Sequence, residues 1–392
     1  MARAVEDLLG PRIHADCICV KYGYTRTLTA IETIEAGHPL PDKNSIVGAQ
    51  RIKHLLESAS ADDLVISLIS GGGSALLCLP PESITLQEKQ LTTDLLIKSG
   101  AAIHEINVVR KHLSLVKGGN LARSAHPATI LNLMVSDVVG DRIDIIASGP
   151  FVVDTATFSD ALGVIGKYNL IRKIPPAVLA HIAEGANNET NRKPHGKENP
   201  ANKNETKSPP VIHKITHCII SSNIICLEAA KKRATDLGYH SLILSSSIEG
   251  DTSAAAAWHA QIAREVLSSS NPLPVPACII SGGEATVRVQ GEGKGGRNME
   301  FAMHTVPLIA GFENVMIASI GTDGTDGPTD AAGAVAHGGT LENTVGLGLD
   351  INQYIQNNDS YHFFKALGDL ILTGPTHTNV MDIRIILVGN EP

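Results

Sequence analysis

The chain has 392 residues, 43% of them hydrophobic, with a formal net charge of -8 and only 3% aromatics. That length points to two or three domains with sizeable cores. A negative chain without a basic stretch excludes a nucleic-acid surface, and so few aromatics exclude base-stacking platforms.

The six cysteines, Cys17, Cys19, Cys78, Cys218, Cys226 and Cys278, form no C-x-x-C pair. They read as small buried hydrophobes of a reducing compartment. No apolar stretch reaches the roughly 18 residues of a membrane span. The N-terminus has no basic-then-apolar signal pattern. The expectation is a cytoplasmic protein with no membrane partner, a monomer or homodimer.

In chain order, Cys17–Lys21 reads as a strand, and Leu64–Ile69 as a second that ends in Ser70-Gly71-Gly72-Gly73-Ser74. Thr85 and Glu88 form a capping-box pattern that opens a helix to about Ser99. Thr129–Val135 is a third strand, ending at Ser136-Asp137. Residues 187–210 are almost entirely Asn, Lys, Glu, Thr and Pro, and read as a disordered polar insert. A second α/β unit follows: strand His217–Ser221, helix Cys226–Leu237, strand Ser241–Leu244 and helix Ser253–Leu267. Then come strand Ala277–Ser281 with Gly282-Gly283-Glu284, a hairpin arm Ala285–Val289, helix Asn298–Ala310, and strands Val315–Ile320 and Asp382–Val388. The alternation predicts an α/β fold with a mainly parallel sheet. The expected domains are 1–186 and 211–392, flanking the insert.

Three glycine-rich loops end apolar runs. Ser70–Ser74 clears side chains so that backbone N–H groups can hold an anion; a tight turn is the rival reading. In Gly293-Lys294-Gly295-Gly296-Arg297-Asn298, Arg297 falls at a helix start, suited to a carboxylate or a transferring phosphoryl group. A hairpin tip with a solvated Arg is the alternative. Gly321–Asp330 brings Asp323, Asp326 and Asp330 to a strand end, where Mg²⁺ or an Asx-stabilised turn would relieve their repulsion. Together the loops point to an ATP-using phosphotransferase with Asp323 and Asp326 on the metal. Asn107, Arg110 and Lys111 share one helix face and could hold a small carboxylate or phosphate. Asp137, at a strand end, is a candidate base; His38, in a rigid loop, is a weaker pocket candidate.

These segments, in this order, resemble the class II glycerate kinases, whose C-terminal half is called the MOFRL domain. The resemblance is carried by Glu35–Asp42, Ser70–Ser74, Glu105–Ser114, Lys117-Gly118-Gly119, Ser136–Asp141, Ile146–Pro150, Gly282–Glu284, Gly295–Asn298, Gly321–Asp330, Asn357–Tyr361 and Thr373–Asn379. It implies ATP-dependent phosphorylation of D-glycerate to 2-phosphoglycerate. It also implies a Rossmann-like N-terminal domain, a C-terminal α/β domain of the MOFRL type, and an active site in the cleft between them. For such a transfer the candidate catalytic residues are Arg297, Asp137 and Lys111, with Arg110, Asn107 and His38 as candidates on the substrate. Ser70, Gly71, Gly72, Gly73, Ser74, Gly282, Gly283, Glu284, Gly295 and Gly296 would lie on the nucleotide.

Some members carry the label hydroxypyruvate reductase, which is one alternative, although no Gly-x-Gly-x-x-Gly follows a first strand here. Family members also begin with a helix and then a strand ending in Gly-Lys-Ala, whose lysine is thought to act on the phosphates. This chain starts at Met1-Ala2-Arg3-Ala4-Val5-Glu6, which resembles the helix after that motif. The other alternative is therefore a shortened, inactive member whose sheet lacks its first strand.

Overall fold

The structure, a computed structural model, describes residues 1–191 and 214–389. The expected polar insert lies outside those residues from position 192 to 210. Its first five positions are helical, because the helix begun at Pro176 runs on to Asn191. The chain divides into two compact units, 1–134 with 142–218, and 135–141 with 219–392.

The elements of the first unit are α1 (Ala2–Leu9), β1 (Ile18–Lys21), β2 (Thr33–Ala36), α2 (Lys43–Glu57), β3 (Leu64–Ile69), α3 (Gly73–Leu76), α4 (Leu86–Lys98), α5 (Ile103–His112), α6 (Asn120–Ser124), β4 (Thr129–Val135), α7 (Phe158–Lys167) and α8 (Pro176–Asn191), with β4 ending in the second unit. The predicted strands and the Thr85–Glu88 helix are present; β2 carries no pattern strong enough to read. β1 and β2 form a parallel pair, and β3 pairs in parallel with β4, the middle strand of a three-stranded sheet. Helix starts follow local chemistry. Thr85 accepts from the Glu88 backbone N–H while the Glu88 carboxylate accepts from the Thr85 N–H, and Thr157 with Asp160 repeats the device. α4, α5, α7 and α8 then pack apolar faces together through Leu96, Ile106, Val109, Ile165, Val178 and Ile182. Each such buried side chain contributes roughly 1.5–3 kcal/mol of transfer free energy.

The second unit contains β5 (Ile215–Ser221, begun in the first unit), α9 (Asn223–Asp236), β6 (His240–Asp251), α10 (Thr252–Ser269), β7 (Ala277–Thr286), α11 (Arg297–Ile309), β8 (Val315–Gly321), β9 (Gly333–His337), α12 (Thr340–Gly346), α13 (Ile351–Asn357), α14 (Ser360–Leu367), β10 (Leu370–Ile371) and β11 (Asp382–Val388). β5 is the third strand beside β4. The larger sheet has the order β10-β9-β8-β11-β7-β6. It is mixed: β6 and β7 are parallel, while β11 runs antiparallel to both β7 and β8. The expected hairpin arm after Glu284 is absent, because β7 continues to Thr286 and pairs with β6 instead.

β11, in the interior of this sheet, is covered on both faces, which is why it reads as an apolar run. Ile383, Ile385 and Leu387 face the α9 side with Leu227 and Ala234. Ile386 and Val388 join α10 and α11 through Ala260, Ala263, Phe301 and Val306. The same buried face of β11 starts with two charges, Asp382 and Arg384. They mark where the core gives way to chemistry.

Candidate functional site

The second unit assembles its polar cluster at the first turn of α11. Arg297 is the first residue of that helix. Its Nε donates to Asp382 Oδ2 at 2.7 Å and its Nη2 to Oδ1 at 3.0 Å, while Nη1 lies 2.9 Å from Glu284 Oε1. Asp382 is fully buried, yet Arg297 keeps 35% of its side-chain surface exposed. The guanidinium is thus gripped along one edge by Asp382 and at Nη1 by Glu284, while part of its surface stays open. Burial works against its charge, but the bonding and attraction of Asp382, then Glu284, hold it above the ordinary arginine range.

Asp382 has glycines as register neighbours on both sides, Gly283 on β7 and Gly321 on β8. Its carboxylate also meets Asn298, whose Nδ2 donates to Asp382 Oδ1 at 2.9 Å and whose Oδ1 accepts from Ser319 Oγ at 2.6 Å. Asn223 Nδ2 donates to the Val380 and Asp382 carbonyls at 2.8 and 2.9 Å, pinning the start of β11. Arg384 Nη2 lies 3.5 Å from Asp382 Oδ2 on the buried side. Asp137 belongs to the same unit, and its charge is one cause of a raised Glu284 carboxyl. Burial is the largest cause there; Arg297 opposes it, and Asp382, Asp137 and Glu249 add to it.

Several expected ligand contacts have another role. Asp326 is buried and caps α11: Oδ1 accepts from the Asn298 N–H at 3.1 Å and Oδ2 from the Met299 N–H at 2.8 Å. Asp323 accepts from the Thr325 N–H at 3.0 Å, closing the turn. Both oxygens of Asp326 are thus engaged in capping α11, and Asp323 Oδ1 in an Asx turn. Gly296, the N-cap of α11, has no side chain to offer, and a Cβ there would run into the Asp326 carboxyl group that caps in its place. The neighbouring Gly295 faces Ser360 in the same manner. Gly282 and Gly283 are buried strand positions whose missing side chains admit Asn223 and the β6 backbone.

In the first unit the Ser70–Ser74 loop follows β3, and Ser74 is its polar centre. Ser74 Oγ accepts from Arg110 Nη2 at 2.9 Å and from Lys117 Nζ at 2.6 Å, and lies 2.9 Å from Ser148 Oγ. The His38 ring packs against Gly72, where a Cβ would come within 2.9 Å of it. Arg110 and His38 thus both lie at the loop. Lys111 does not: it turns to Asp154 at 3.3 Å and Asp144 at 4.0 Å, with 9% of its side chain exposed. Its nearest charged partners are thus carboxylates and not the Ser74 hydroxyl that Arg110 reaches. Asn107 is buried.

The sequence reading missed Asp382, Asn223, Ser148 and the role of Lys117. One signal was available for Asp382: Asp and Arg at alternate positions of an otherwise apolar strand, a costly pattern unless the charges are paired.

The chain is thus a two-unit α/β protein, with cations around a serine loop in one unit and a carboxylate-gripped arginine at a helix head in the other. A family profile described as a domain of unknown function, DUF4147, matches residues 1–183, and the MOFRL family profile matches residues 277–382. The chain is 42% identical to the glycerate 2-kinase of Pyrococcus horikoshii, over 100% of this chain and 85% of that protein. It is 40% identical to an Agrobacterium vitis protein provisionally named a hydroxypyruvate reductase, over 99% of this chain and 84% of that one. The crystal structure of glycerate kinase from Thermotoga maritima superposes with a TM-score of 0.89 at 39% identity, covering 99% of this chain and 88% of that one. The chain belongs to the MOFRL-domain family of glycerate kinases.

Proposed function

We propose that this protein transfers the γ-phosphoryl group of MgATP to a hydroxyl of D-glycerate, giving 2-phosphoglycerate and ADP. The observation that carries the reading is Arg297, held by Asp382 and Glu284 while one third of its surface stays open. A guanidinium so fixed suits the charge of a transferring phosphoryl group, and such transfer depends on positioning and charge stabilisation.

The glycerate hydroxyl oxygen forms the new bond to phosphorus as the bond to the ADP oxygen breaks. Asp137 takes or directs the hydroxyl proton. Arg297 stabilises charge on the phosphoryl oxygens. The Ser70–Ser74 loop, with Arg110 and His38 beside it, binds an anionic group of a substrate. Mg²⁺ enters as part of the nucleotide substrate. Among the described residues no helix is long and apolar enough to cross a membrane; a cytoplasmic enzyme, monomer or homodimer, is the accompanying proposal.

The relatives named as glycerate kinases support phosphorylation over the reductase alternative. A coupled assay with ATP, Mg²⁺ and D-glycerate, with the product identified as 2- or 3-phosphoglycerate, tests the reading. A parallel sample with hydroxypyruvate and NADPH tests the reductase. ADP release that depends on D-glycerate is the expected result; NADPH oxidation without it would overturn the proposal.

A further inference from the structure

Arg384 is the largest fully enclosed side chain among the described residues, 1% exposed. It stands two residues beyond Asp382 on the same face of β11. Its Nη2 lies 3.5 Å from Asp382 Oδ2, an ionic contact rather than a good hydrogen bond. Its Nε and Nη1 have no hydrogen-bond partner among the described residues. The guanidinium carbon sits 5.0 Å from the centre of the Phe301 ring. Its register neighbours are Ser281 on β7 and Ser319 on β8, and both hydroxyls serve other groups. Ser281 donates to His259 Nε2 at 2.7 Å, because the other ring nitrogen gives its hydrogen to the Ala255 carbonyl. Ser319 donates to Asn298. His259 adds no charge, since burial pushes its ring down to about 4. Burial also draws Arg384 below the ordinary arginine range, against the attraction of Asp382, yet a guanidinium keeps its proton in proteins.

A buried arginine with two idle nitrogens is a poor choice for packing alone, because an apolar side chain of similar volume ordinarily serves as well or better. What the guanidinium adds is charge. The carboxylate that grips Arg297 also cancels much of the charge Arg297 would offer to an anion, and Glu284 cancels more. In a dry interior such couplings are strong. Arg384 places a second cation against the same oxygen, Oδ2, from the buried side. The triad of Arg297, Asp382 and Arg384 thereby keeps a net positive charge, and within it only Arg297 is open to present that charge. Arg384 is too deep to touch a substrate.

We propose that Arg384 is a positioning residue for phosphoryl transfer: it offsets the charge of Asp382, so that Arg297, fixed by that carboxylate, still offers net positive charge to the transferring group. The inference deepens the phosphotransfer reading and rests on it. Charge aimed at the transferring group counts most in the transition state, so the effect belongs in kcat rather than in KM.

The test is a double-mutant cycle on the full chain, with kcat and KM for MgATP and D-glycerate measured in wild type, Arg297→Ala, Arg384→Met and the double variant. Arg384→Met should lower kcat by roughly tenfold or more, with each KM changed by less than about twofold. Added to Arg297→Ala, the same substitution should lower kcat by less than about twofold, because Arg384 acts through Arg297. Arg384→Lys, which keeps a charge, should recover part of the loss. Equal kcat losses from Arg384→Met in both backgrounds, as a packing defect would give, overturn the proposal. So does an Arg384→Lys variant no better than Arg384→Met, or an Arg297→Ala variant with full kcat. A kcat within about twofold of wild type in Arg384→Met sinks this inference and leaves the kinase reading standing. If Arg384→Met does not fold, Arg384→Gln enters the cycle under the same criteria; if neither folds, Arg384 is a core residue and the proposal fails. Wild type without ADP release that depends on D-glycerate overturns the phosphotransfer reading, and this inference with it.

Discussion

Arg297 and Asp382 meet edge to edge, with Nε 2.7 Å from Oδ2 and Nη2 3.0 Å from Oδ1, across 85 residues of sequence. A planar fork on a planar carboxylate fixes the guanidinium in orientation as well as position. Glu284 approaches from a third direction. Substitutions that remove the charge, the fork or the carboxylate should therefore have different consequences.

Arg297→Ala should lower kcat by about 10²–10³-fold, the usual effect of removing one preorganised charge-stabilising donor. Arg297→Lys should recover only part of that, because an ammonium cannot bridge both Asp382 oxygens. Steady-state kinetics on the two variants check this. A kcat unchanged in Arg297→Ala removes the residue from the mechanism.

Asp382→Asn keeps the shape and removes the charge. It should lower kcat by roughly 10²-fold, comparable to loss of an outer partner that orients a catalytic group. It should also cost about 3 kcal/mol of stability, because Arg384 and Arg297 are then left short of a counter-charge in a buried place. Kinetics together with urea unfolding separate the two effects. A variant as active as wild type would show that Arg297 needs no such orientation.

Gly296→Ala should destabilise by about 2 kcal/mol, because the new methyl group must displace the Asp326 carboxyl that caps α11. Gly163, inside α7, has nothing within 4 Å of where a Cβ would lie. Gly163→Ala should accordingly stabilise by roughly 0.5–1 kcal/mol. Opposite signs in the two unfolding midpoints are the expected outcome.

Glu300 gives the fold a pH dependence. It is 2% exposed on α11, and neither carboxyl oxygen has a hydrogen-bond partner of good geometry. Burial pushes its carboxyl up to about 7, against a weaker effect of Ser360 and Asn358. Its pKa is therefore higher folded than unfolded. The stability it contributes as a neutral acid is complete below the unfolded value of 4.5 and is lost as pH rises through about 7. Glu300→Gln should match wild type near pH 5 and exceed it by on the order of 2 kcal/mol near pH 8. Urea unfolding at the two pH values checks this; parallel curves for both proteins would refute it.

The α/β alternation, most strands, the capped helices and, through the ordered loops, the family are legible along the chain. Those signals are local: apolar period, capping pairs and glycine-rich strand ends occupy a few adjacent residues. Tertiary structure alone decided what the loops do. Asp326 looked like a metal ligand because aspartates crowd its loop, yet its partners are the N–H groups of Asn298 and Met299, brought to it by the packing of α11. Lys111 and Arg110 are adjacent in sequence, but the fold gives one to Asp154 and the other to Ser74. Asp382 lies outside every glycine loop and becomes central only because β11 is placed between Gly283 and Gly321. Whether a charge is paired, capping or open depends on what a distant strand places beside it. No spacing along the chain encodes that neighbour.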